Sequence, residues 1–105
     1  VGVGAMYGAA PPPQAPINLI PSGTTATTVS LSWTAPAFSE TPIVRYNIYK
    51  GTICIGSCTT TTYTVTDLDD NSNYSFHVVA KVNDGSTSAA SNIVDVATKS
   101  EYCES

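Results

Sequence analysis

Two antiparallel β-sheets packed face to face are the fold that this 105-residue sequence predicts. Three observations carry it. Apolar residues recur at every second position in short runs, the period of a half-buried strand. The segment Leu68-Asp69-Asp70-Asn71-Ser72-Asn73-Tyr74 has the form of a loop that drops a Leu into a core and then starts a strand. No window keeps a helical period, and Thr, Val, Ile and Tyr outnumber helix formers, as suits a pleated surface.

Val29, Leu31 and Trp33 give the first clear alternation, followed by Tyr46 and Ile48, then Tyr63 and Val65. The longest run starts at Tyr74. Tyr74, Phe76, Val78 and Ala80 share one face, and Ser75, His77 and Val79 share the other. Val94 and Val96 close the series. Strands thus recur roughly every dozen residues, the rhythm of a sandwich. Turn-forming stretches separate them: Pro21-Ser22-Gly23, Ala35-Pro36, Lys50-Gly51, Asp67 to Asn73, and Asn83-Asp84-Gly85-Ser86. The predicted core is Trp33, Tyr46, Leu68, Tyr74 and Phe76, with Trp33 at its centre. The Tyr74 hydroxyl is placed to bond back onto loop backbone, the tyrosine-corner device of sandwiches.

From Pro16 to Thr98 the chain resembles a fibronectin type III domain. The carrying residues are Val29-Ser30-Leu31-Ser32-Trp33-Thr34-Ala35-Pro36, Val44-Arg45-Tyr46-Asn47-Ile48-Tyr49, Tyr63-Thr64-Val65-Thr66-Asp67-Leu68 running to Tyr74-Ser75-Phe76, and Ser88-Ala89-Ala90-Ser91-Asn92. The wording is nearest to the Thr- and Ser-rich modules of secreted microbial proteins. The resemblance implies an immunoglobulin-like sandwich used for adhesion, spacing or assembly, and no chemistry of its own. No Arg-Gly-Asp stands after Val82, so an integrin-binding role has no support.

Length sets one domain, since a chain of this size buries about two thirds of its unfolded surface in a single core. The expected division is an N-terminal arm and Pro spacer over 1–14, the sandwich over 15–99 and a tail over 100–105. Only 11% of residues are charged and the net charge is −4. The basic residues Arg45, Lys50, Lys81 and Lys99 are scattered, which argues against nucleic acid and anionic membrane as partners. No membrane span is expected. Solubility falls to Ser and Thr hydroxyls.

The ends depart from a plain module. Val1, Val3, Ala5, Tyr7 and Ala9 alternate with Gly2, Gly4, Met6 and Gly8, the pattern of a strand without a partner. Pro11-Pro12-Pro13 then holds this arm about 9 Å from the domain. A sheet edge of a neighbouring copy is the expected partner, with Val1, Val3, Ala5 and Tyr7 as its contacts. A flexible linker, or pairing with the domain's own sheet edge, is the alternative.

Cys54, Cys58 and Cys103 are an odd number for an exported chain. Cys54-Ile55-Gly56-Ser57-Cys58 reads as a small loop that a disulfide closes, and a bridge from Cys54 or Cys58 to Cys103 would instead pin the tail. One intrachain disulfide is expected, with its pair left open. Those cysteines with His77 match the residue types of a zinc site, but not its tight spacing. His77 reads more simply as an exposed strand residue. Asp67, Asp69 and Asp70 lack calcium-loop spacing, and Asn73-Tyr74-Ser75 matches the N-glycosylation triplet but overlaps the corner. Neither a catalytic constellation nor a cofactor is expected.

The function expected is a non-catalytic extracellular or cell-surface structural protein, polymerising head to tail with copies of itself through the arm. The alternative is a spacer or accessory module of a larger secreted enzyme or adhesin. Other surface proteins or polysaccharide are the further partners expected.

Overall fold

The computed structural model describes residues 14–36 and 42–100. They form β1 (Ile17–Thr24), β2 (Val29–Thr34), β3 (Ile43–Lys50), β4 (Ile53–Cys58), β5 (Thr62–Val65), β6 (Asn73–Val82) and β7 (Val94–Ala97). A three-stranded sheet runs β1-β2-β5 and a four-stranded sheet runs β4-β3-β6-β7. Every pairing is antiparallel. This is the two-sheet β-sandwich that the alternation predicts.

Period two decides which side chains meet between the sheets. Val29, Leu31 and Trp33 point inward from β2, Tyr46 and Ile48 from β3, and Phe76, Val78 and Ala80 from β6, all buried. Trp33 and Tyr46 meet edge to face, ring centroids 5.4 Å apart at 68°. Leu68 is buried below the loop, whose backbone is tied down by Leu68 N–H donating to Thr27 O. Tyr74 is half-buried against the core, and its hydroxyl accepts from Asp69 N–H at 2.8 Å.

Two segments differ from the sequence reading. Pro21-Ser22-Gly23 lies inside β1 rather than in a turn. A sheet edge tolerates the missing proline N–H, and the register slips between Ile17 and Ile20 and between Pro21 and Gly23 absorb the irregularity. Asn18, at φ 57°, sits in the first slip. The Cys54–Cys58 segment is not a closed loop but edge strand β4, returning from β3 through Gly51 and Thr52. Gly51 takes φ 62°, which a two-residue hairpin requires at its first central position.

Side chains finish what backbone pairing leaves open. β7 pairs with β6 only from Asn73 to Phe76, so the rest of that β6 edge needs other partners. Ser88 supplies one set: its N–H donates to Ala80 O and its hydroxyl accepts from Ala80 N–H, both at 2.9 Å. Ser91 does the same for Val78, at 2.9 and 3.0 Å. Asn92 then reaches the other sheet, accepting from Leu19 N–H and donating to Leu19 O. On the opposite edge of the sandwich Tyr63 of β5 covers β4 at Gly56, where any Cβ would collide with the Tyr63 hydroxyl and ring.

Trp33→Ala is expected to lower stability by about 3–5 kcal/mol, and Tyr74→Phe by about 1–2 kcal/mol through the lost bond to Asp69 N–H. Urea unfolding followed by circular dichroism measures both. Gly56→Ala should cost about 1–3 kcal/mol by overpacking. Combined with Tyr63→Val it should cost less than the sum of the single changes, because the second substitution removes the obstacle. Strict additivity in that cycle would show that the two residues do not press on each other.

Candidate functional site on the outer face of the four-stranded sheet

Inward Tyr46 and Ile48 force Arg45, Asn47 and Tyr49 of β3 outward, and inward Phe76 and Val78 do the same for Ser75, His77 and Val79 of β6. Register then aligns Tyr49 with His77, Asn47 with Val79 and Arg45 with Lys81. Tyr49 and His77 stack, with ring centroids 4.8 Å apart and planes 6° from parallel. Val79 is buried although it lies outside the core cluster, so the outer face is not uniformly polar.

An open groove of about 410 Å³ runs along β6 and β7, lined by Asn73, Tyr74, Ser75, Asp95, Val96 and Ala97. Within it the Ser75 hydroxyl donates to Asp95 Oδ1 at 2.6 Å. On the inward side of the same strands the Lys50 ammonium stands 5.5 Å from the Tyr74 ring centroid. Toward β4, Arg45 Nη1 donates to Ser57 Oγ at 3.1 Å. This face thus presents rings, an amide, hydroxyls and one carboxylate. Among the described residues no Ser or Cys is hydrogen-bonded to His77, and no group of three His, Cys, Asp or Glu side chains could hold a metal ion.

The cysteines fall elsewhere than the sequence suggests. Cys54 is exposed and Cys58 half-buried, and both are free thiols. Four residues apart on one extended strand, their Cα atoms lie about 13 Å from each other, whereas a disulfide needs about 4.4–6.8 Å. A register slip in β4 also pairs Cys54 with outward Tyr49 and Cys58 with inward Tyr46, placing the thiols on opposite faces. The Cys58 thiol donates to Thr60 O and Thr62 O. Burial, and secondarily the neighbouring Cys58, holds the Tyr46 hydroxyl above its ordinary 10.0. Cys103 and the arm residues Val1, Val3, Ala5 and Tyr7 lie outside the described residues.

Partial burial holds His77 below the ordinary histidine value of 6.5. The neutral ring is therefore favoured in the folded chain, and its contribution is complete above 6.5 and lost as pH falls through the lowered value. The thermal midpoint should accordingly fall on acidification through this window. His77→Gln should flatten that part of the profile, and calorimetry across the range checks it.

A sequence profile of the fibronectin type III domain matches residues 11–97. Chitinase A1 of Niallia circulans is 39% identical over 89 residues, covering 85% of this chain and 13% of that enzyme. Exoglucanase A of Cellulomonas fimi is 42% identical over 88 residues, 84% of this chain and 10% of that enzyme. Among solved structures, the fibronectin type III domain of human fibronectin type III domain containing protein 3 superposes with a TM-score of 0.80 at 22% identity, over 89% of this chain and 92% of that one. The chain thus spans only a small fraction of the curated relatives it matches, and what it shares with them is one sandwich. The profile match, the paired antiparallel sheets and the Trp33, Leu68 and Tyr74 framework place this chain in the fibronectin type III family.

Proposed function

We propose that the chain serves as a non-catalytic accessory module of a larger extracellular enzyme that degrades a polysaccharide. One observation carries this: the matching stretch in a chitinase and in an exoglucanase is a tenth or slightly more of each enzyme, and it covers most of this chain. A module shared by enzymes with two different substrate names supports a common task such as spacing or substrate contact, not a common reaction. The outer face fits that task, since it offers hydrogen-bonding groups and rings. Extracellular location and polysaccharide as partner belong to the same reading.

The filament subunit expected from the arm gives way to this reading. Its support was the alternation of residues 1–9, and those residues lie outside the described structure. The relatives point to enzymes instead.

Sequencing the coding region on both sides of this chain, with intact-mass analysis of the native secreted protein, tests the proposal. A polysaccharide hydrolase domain continuous with the module is the expected result. A native protein of this chain alone, forming polymers under negative-stain microscopy, would restore the filament.

A further inference from the structure

Three features of the four-stranded sheet's outer face coincide. Tyr49 and His77 stack on its two central strands, and a two-ring stack leaves one face of each ring uncommitted to the pair. Asn73, Ser75 and His77 follow one another on the same side of β6 along about 13 Å, long enough for more than one sugar ring. The groove beside them contains Asn73, Ser75 and Asp95.

The chemistry of these groups selects among ligands. Asp95 is an acceptor with one oxygen engaged by Ser75, so its other oxygen remains for a donor, and Asn73 both donates and accepts. Sugar hydroxyls are donor and acceptor at once, and the C–H faces of pyranose rings suit aromatic surfaces. A carboxylate in the groove and a net charge of −4 disfavour phosphate- or uronate-bearing polymers.

We propose that the strip formed by Tyr49, His77, Asn73, Ser75 and Asp95 binds one chain of a neutral polysaccharide, with ring contacts at the Tyr49–His77 stack and hydroxyl contacts in the groove. This rests on the accessory-module reading and deepens it from a spacer to a substrate-contacting surface. The three-stranded sheet has a different outer face, where Ser30 and Thr64 hydroxyls bond across strands. It serves as the internal control.

Native affinity electrophoresis through gels containing hydroxyethyl cellulose, glycol chitin or carboxymethyl cellulose tests the proposal. At least one of the first two polymers should retard the chain. Tyr49→Ala and Asp95→Ala should each weaken that retardation about fivefold to tenfold. Ser30→Ala should leave it unchanged, with thermal melts confirming that all variants fold. Tyr49→Phe should keep most of the effect, because the ring face persists. No retardation by either neutral polymer overturns the proposal, as do equal retardation of Tyr49→Ala and Ser30→Ala or stronger retardation by the anionic polymer. Such a failure leaves the accessory-module reading standing on the flanking sequence, which is measured separately.

Discussion

Trp33 and Tyr46 meet edge to face across the gap between the sheets, and the direction of nearly every other side chain follows from that contact. Trp33 inward on β2 puts Val29 and Leu31 inward with it. Tyr46 inward on β3 does the same for Ile48 and turns Asn47 and Tyr49 to the surface. A shift of one residue in either strand would exchange the faces and expose the core set. The stack of Tyr49 on His77 is therefore a consequence of core register, one residue removed from the inward Ile48, Phe76 and Val78 that enforce it.

Hydroxyls and amides hold the margins of the sandwich. Ser88 and Ser91 each present an N–H and an oxygen to β6, so an irregular segment completes the bonding of Ala80 and Val78 without being a strand. Thr98 is buried after β7, where its hydroxyl accepts from Ser72 N–H and donates to Asp69 O. Tyr74 ties the same loop from the other side. A chain with only 11% charged residues satisfies its buried backbone in this way, and its Ser and Thr content has a structural use beyond solubility.

Nothing in this scaffold demands a reaction. The family carries many tasks on one architecture, so function lies in the surface residues and not in the fold. Interior positions serve packing, and the outer face of the four-stranded sheet, buried Val79 apart, carries less of that duty. There the rings, the groove and Asp95 gather within one sheet.

How much was legible beforehand follows the range of each interaction. Alternation around Trp33, Tyr46 and Phe76, and the short-range loop from Leu68 to Tyr74, were readable because their signals are local and periodic. The run Ser88-Ala89-Ala90-Ser91-Asn92 was recognisable as a family pattern, but its role depends on Val78, Ala80 and Leu19, which are distant in sequence. β1 was hidden by Pro21 and Gly23, whose turn preference an edge position overrides. Cys54 and Cys58 suggested a closed loop, yet pairing with β3 extends the segment and sends its thiols to opposite faces. The sequence by itself determined the fold class and the inward set, because period two is written in the order of residues. Only the tertiary structure decided which outward residues become neighbours, because Tyr49 beside His77, and Ser75 beside Asp95, depend on the register between strands.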